Sequence, residues 1–127
     1  MHPDDAKRFK KLGVRADLTA HWFGDMPEAT LAFMGEERMK TYFDFSQFRK
    51  DSVKYGFSSD NTTNQELSHM PLFMGMQIAK TAINPGGNVV PATDTNKYPN
   101  GRLPDSAKFS IEECIHACTY ANAERMR

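Results

Sequence analysis

Hydrophobic positions switch between helical and strand-like spacing along the chain, and this pattern predicts an order of elements. Pro3, Asp4 and Asp5 favour a helix start, because proline is tolerated in the first turn and acids suit the positive end of the helix dipole. Gly13 is a natural helix terminator. Residues 14–19 then alternate apolar and polar side chains, which is typical of a strand. The chain is therefore expected to open as helix, glycine, strand.

The middle of the chain is expected to be helical up to a second short strand. Residues 27–42 indicate two short helices separated by a glycine. Residues 45–54 have an amphipathic pattern, and Gly56 is expected to close that helix. The run Phe57–Ser59 would then be a strand that leads directly into Asp60.

Two further helices and a long loop are expected after the second strand. Residues 61–68 are polar and predict a loop. Residues 71–83 have helical spacing. The apolar face of that helix would carry Leu72, Met76, Ala79 and Ile83. Residues 84–105 are rich in proline and glycine, and such a long irregular loop in a compact domain is usually functional or disordered. The last helix should begin at Ser110, whose spacing to Glu113 forms a capping box.

Composition and charge narrow the class of protein. The 127 residues, 39% of them hydrophobic, suit a single folded unit over 1–127 and not a disordered chain. The 16 Lys and Arg balance 16 Asp and Glu, so the basic excess of a nucleic-acid binder is missing. No apolar run approaches the roughly 20 residues that span a bilayer, and the N-terminal residues are charged, unlike a signal peptide. Two cysteines are too few for a disulfide scaffold, so we expect a cytoplasmic protein. The charge balance and the absence of a long apolar run lead us to expect that it binds neither nucleic acid nor membrane.

Two polar residues stand directly after the predicted strands. Asp60 follows the second strand, which is where α/β folds place chemistry, although it could simply cap a turn. His21 follows the first strand beside two aromatic residues, and could contact a substrate, ligate a metal or be a structural histidine. If the two strands are parallel neighbours, both side chains are expected on the same side of the molecule.

The last helix holds a Cys–His–Cys group that invites a metal interpretation. Cys114 and Cys118 lie four residues apart and can share a helix face, but His116 points elsewhere. No second Cys/His pair completes a tetrahedral site, so core packing of both cysteines is the expectation. The chain has no phosphate loop and no GxGxxG, GxSxG or HExxH motif.

Several segments together resemble landmarks of the amidohydrolase superfamily, in its amidohydrolase-3 group of metal-dependent hydrolases. They are DDAKRFKKLGV at 4–14, the strand that ends at His21, GEER at 35–38, YGFSSD at 55–60, and FSIEE to TYANA at 109–123. These landmarks occur in the family's order and cover nearly the whole chain.

The resemblance implies a fold and residue roles. The family has a (β/α)8 TIM barrel with an appended β-sandwich, and this chain would supply only the closing part of the barrel. Residues 14–19 would be the seventh strand and Phe57–Ser59 the eighth. Asp60 would bind a divalent metal, expected to be zinc, take a proton from the metal-bound water and pass it to the leaving amine. His21 would lie at the mouth of the site and contact the small-molecule substrate.

The family's other metal ligands have no match here: a His-x-His pair, a lysine or glutamate, and two later histidines. We therefore expect an α/β fragment whose parent hydrolyses C–N bonds of amide or ureide substrates. The isolated chain is expected to bind no metal and to be inactive. The alternative is a small non-catalytic α/β binding or interaction module. In either case, exposed apolar faces could drive self-association.

Overall fold

The computed structural model describes residues 3–23, 28–60, 71–87 and 91–126. The helices of these ranges are α1 (Pro3–Leu12), α2 (Glu28–Met34), α3 (Glu36–Met39), α4 (Ser46–Lys50), α5 (Leu72–Thr81), α6 (Ile111–Cys118) and α7 (Tyr120–Arg125). The strands are β1 (Ala16–Thr19) and β2 (Tyr55–Ser58), which pair in parallel. The protein is thus a helix-rich α/β structure with a small parallel sheet. No helix in the described ranges is long and apolar enough to cross a membrane.

The first helix ends as its sequence predicts. Gly13 has a φ of 67°, a left-handed conformation that glycine adopts without strain. The Gly13 N–H donates to the Lys10 carbonyl at 3.2 Å, and the Val14 N–H donates to the Phe9 carbonyl at 2.9 Å. These two bonds satisfy carbonyls at the helix end and turn the chain into β1.

The prediction that Gly56 closes the fourth helix is wrong. Helix α4 ends at Lys50, and Gly56 lies inside β2. The chain turns at Ser52, whose φ is 53°, and the Val53 N–H donates to the Phe48 carbonyl at 2.8 Å. A serine therefore occupies the left-handed position that sequence rules assign to glycine, so the helix end has no glycine signal.

The expected apolar face of α5 is only partly correct. Met76 is buried, but Leu72 is 51% exposed, and Ile78 is fully buried instead. The helix ends at Thr81, because Ala82 adopts a left-handed conformation with a φ of 54°. The buried face is consequently rotated towards Ile78, and its N-terminal end is open to solvent.

The hydrophobic core contains buried residues of both strands and a group of aromatic side chains. Leu18 and Phe57, which are register partners in the sheet, are both buried in it. Phe23 is 1% exposed, and its ring centroid lies 5.4 Å from that of Phe45 and 5.6 Å from that of Phe109. These spacings are in the range of favourable aromatic pairs. These aromatic contacts therefore join the segment after β1 to the segment before α4 and to the loop before α6.

Helix α7 covers the outer edge of β2. The Asn122 Nδ2 atom donates to the Phe57 carbonyl at 2.8 Å. Gly56 allows this approach, since a Cβ at that position would lie 2.3 Å from Asn122 Oδ1. The Arg125 guanidinium also pairs with the Asp17 carboxylate at 2.6 Å, on the sheet face opposite the core.

Residues 84–87 and 91–104, within the predicted long loop, contain no helix or strand. A 3-10 turn follows at Asp105–Ala107. The loop is tied to α3 through Arg102, which is buried and donates to the carbonyl oxygens of Met39 and Tyr42, the latter at 2.8 Å.

Candidate functional site

Both residues singled out by sequence follow the carboxyl ends of parallel strands. β1 continues into a 3-10 turn, Ala20–Trp22, that contains His21. β2 is followed within two residues by Asp60. Because the strands are in register from Ala16 with Tyr55 to Thr19 with Ser58, these segments leave the sheet at the same end.

His21 is a buried side chain held beneath α5. Its ring is 4% exposed, and its Nε2 atom lies 3.3 Å from the Pro71 carbonyl oxygen. A Cβ on Gly75 would lie only 2.7 Å from His21 Cε1, so the helix packs directly on the ring. The His21 carbonyl accepts a hydrogen bond from Asn84 Nδ2 at 3.5 Å.

One face of His21 borders a small cavity of about 100 Å³. Ser58, Ser59 and Cys118 also line it, together with apolar side chains of α5. This cavity has space for a few atoms, so His21 is arranged as a wall residue and not as an exposed ligand.

Asp60 lies in a different and more open place. Its side chain is exposed, and its φ of 53° is left-handed, a conformation that aspartate tolerates better than most residues. It lines a cavity of about 370 Å³ beside β1. We call this cavity the β1 cavity; its other lining residues are Asp17, Leu18, Thr19, Trp22, Tyr42, Phe43 and Phe45.

The structure therefore separates the two predicted site residues. Asp60 borders the β1 cavity, whereas His21 borders the smaller cavity under α5. Asp17 shares the lining of the β1 cavity with Asp60, and sequence reasoning did not select it. The available signal was that Asp17 is a charged residue within the alternating pattern of the strand. An exposed position on a short strand does not require an acid for stability, so an acid there points to another role.

Aromatic side chains also line the β1 cavity, and sequence reasoning did not select them as site residues. Tyr42, Phe43 and Phe45 follow α3 in the chain, and their ring centroids lie 4.2 Å apart for Tyr42–Phe43 and 6.4 Å apart for Phe43–Phe45. Phe43 has a left-handed φ of 62°, which is strained for a bulky side chain. Strained residues of this kind cluster at functional sites.

The cysteines of α6 pack as expected. Cys114 is fully buried, and burial raises the pKa of its thiol to about 11. Burial also raises the pKa of the Cys118 thiol. His116 points to solvent and stacks on Tyr120, with ring centroids 5.2 Å apart. The three side chains do not converge on one point.

Metal-binding groups are not assembled within the part of the chain that the structure describes. No three His, Cys, Asp or Glu side chains there lie close enough together to hold an ion. The carboxylate of Asp60 would be one oxygen ligand for a divalent metal, but a metal centre needs further ligands beside it. The described residues alone thus do not fit a complete metal site.

No known protein family, curated protein or solved structure shows a significant match to this chain.

Proposed function

We propose that this chain is the closing part of the barrel of a metal-dependent amidohydrolase. Its parent would hydrolyse C–N bonds of amide or ureide substrates. The observation that supports this most is the position of Asp60, an exposed carboxylate just beyond the carboxyl end of a parallel strand and beside a cavity. Barrel enzymes place their catalytic groups at that end of their strands.

The barrel itself is part of the proposal. β1 and β2 are parallel neighbours joined by a helical connection, as two consecutive strands of a (β/α)8 barrel would be. The six other strands, and the metal ligands that the described residues lack, would come from elsewhere in the parent enzyme.

In the intact parent, Asp60 would act first as a proton acceptor and then as a proton donor. A divalent cation, when bound, lowers the pKa of its water to about 7 and polarises the scissile carbonyl. The Asp60 carboxylate would accept a proton from the attacking water and pass it to the leaving nitrogen as the C–N bond breaks. His21 would contact the substrate from the wall of the small cavity under α5, where its ring packs on Gly75 and faces the Pro71 carbonyl.

The proposal is tested with two proteins, this chain and the product of the complete reading frame that encodes it. The 127-residue chain, supplied with zinc or manganese, should hydrolyse none of a panel of amides and cyclic ureides. The complete product should carry a His-x-His pair after an early apolar strand and should hydrolyse a member of the panel. Asp60→Asn should abolish that turnover, because amide nitrogen is a poor base.

Asp94→Asn is the matched control, since Asp94 lies in the loop before α6 and accepts bonds only from nearby backbone N–H groups. Its turnover should equal that of the unchanged enzyme. Metal-dependent hydrolysis by the chain alone, or full activity of Asp60→Asn in the complete product, would overturn the proposal.

The alternative function is a non-catalytic α/β module. The observation in its favour is that one continuous core joins both strands to α1, α4, α5 and α6, as in a protein that folds by itself. A monomer with cooperative unfolding would favour the module. Obligate association through exposed side chains such as Phe33 and Phe73, which are 91% and 78% exposed, would favour the fragment.

A further inference from the structure

We propose that the β1 cavity is a binding site for an organic cation, such as a substituted ammonium group. The cavity has a volume of about 370 Å³, which suits a small molecule. Its lining combines aromatic rings with carboxylates. These residues are Trp22, Tyr42, Phe43, Phe45, Asp17 and Asp60. Aromatic faces and nearby negative charge are the recognised chemistry of quaternary ammonium binding.

The aromatic part of the lining is held in place by the core. The Phe43 and Phe45 rings pack on the buried Phe23, with centroids 5.9 and 5.4 Å from that of Phe23. Tyr42 already has a cation near its ring, because the Arg102 guanidinium carbon lies 5.8 Å from the ring centroid. These contacts limit ring movement, so a ligand would meet a preformed aromatic wall and not a collapsed one.

Among the described lining residues of the β1 cavity, the charged side chains are the two carboxylates of Asp17 and Asp60. Asp60 is exposed, and no described residue forms an ion pair with its carboxylate. Asp17 pairs with Arg125 through one oxygen, and its side chain remains 49% exposed. The two carboxylates therefore favour a positive ligand and disfavour an anionic one.

Cation binding needs no metal and no chain beyond these 127 residues, so it is independent of the hydrolase proposed above. The two proposals share only Asp60. Variants of Asp17 and Tyr42 therefore test the cation site without touching the residue assigned to metal chemistry.

Trp22 provides the measurement, because it is the only tryptophan in the chain and lines the cavity. Choline and its neutral analogue 3,3-dimethylbutan-1-ol have nearly the same shape and differ in charge. Choline should change the Trp22 fluorescence saturably, and the alcohol should bind more weakly by about two- to fivefold, as expected for a cation–π contribution at an exposed site. Equal binding of the two compounds, or binding of neither, would overturn the proposal.

Variants locate the site. Asp17→Asn and Tyr42→Leu should each weaken choline binding by about two- to fivefold, and Arg125→Met should strengthen it, because the replacement releases the Asp17 carboxylate. Asp51→Asn, at the C-terminal end of α4, should leave the affinity for choline unchanged.

Circular dichroism checks that each variant is folded, and isothermal calorimetry gives a readout independent of Trp22. Unchanged affinity in folded Asp17→Asn and Tyr42→Leu proteins would place choline elsewhere and reject the site.

Discussion

Gly75 decides how closely α5 can approach His21. The absent side chain leaves space for the imidazole ring, since a Cβ would come within 3.1 Å of three ring atoms. The ring cannot swing away, because it is buried and its Nε2 atom faces the Pro71 carbonyl. A glycine normally destabilises a helix, but Gly75 permits close packing of the helix on the residue that follows β1.

Replacing Gly75 by alanine should therefore destabilise the protein. The new methyl group overpacks the site at a cost of about 1–3 kcal/mol, which exceeds the helix-propensity gain of about 1 kcal/mol. Urea unfolding followed by circular dichroism measures the net change. Gln77→Ala, at an exposed position of the same helix, is the control and should be within about 0.5 kcal/mol of the unchanged protein. A more stable Gly75→Ala protein would show that His21 is free to move.

The two cysteines should differ in reactivity. Cys114 is fully buried, and its raised thiol pKa of about 11 leaves almost no thiolate at pH 8. Cys118 is less buried and borders the small cavity. Iodoacetamide at pH 8 should label Cys118 first, as measured by peptide mass spectrometry. Faster labelling of Cys114 would mean that α5 and α6 separate readily in solution.

At the scale of elements, α6 is specified most completely by its own sequence. The Ser110 Oγ atom accepts from the Glu113 N–H at 3.2 Å, and a Glu113 carboxylate oxygen accepts from the Ser110 N–H at 2.7 Å. Arg49 of α4 pairs with the same carboxylate at 3.2 Å. The capping box therefore also connects two helices that are distant in sequence.

Ser110→Ala should lower the free energy of unfolding by about 0.5–2 kcal/mol, because it removes the N-cap acceptor. The matched control is Ser106→Ala, at an exposed position of the preceding 3-10 turn, where the side chain has no such role. Both changes are measured by chemical denaturation. Equal effects of the two substitutions would mean that Glu113 holds the helix start without the serine.

Local signals explain which elements could be predicted. Helix α1 has its own start and stop residues, and α6 has its own capping box, so the position of α1 and the start of α6 follow from sequence. The break at Thr119, which separates α6 from α7, has no such signal. The end of α4 could not be predicted, because Ser52 takes a left-handed conformation that only the surrounding packing makes favourable. The buried face of α5 was misjudged for a similar reason. Ile78 is buried by contacts with other elements, and periodicity within one helix does not contain that information.

At the scale of the whole molecule, the candidate site was only half predictable. Asp60 could be selected because a strand precedes it directly. The β1 cavity could not, since its lining comes from three separate segments: β1 with its 3-10 turn, residues 42–45, and the end of β2. Asp17 and Asp60 are 43 residues apart in sequence and come to line one cavity because their strands pair in parallel.

The hydrogen bond between the Asn122 side chain and the Phe57 carbonyl affects where the sheet can be extended. A further strand can pair with a sheet where the backbone groups of its edge strand have no hydrogen-bond partner. At the outer edge of β2, the Phe57 carbonyl already accepts a hydrogen bond from the Asn122 side chain. Closure of the proposed barrel would add a strand at this edge of β2, so it would require α7 to move away from Phe57. A strand added at the other edge, alongside β1 and Asp17, would leave α7 in place and would border the β1 cavity.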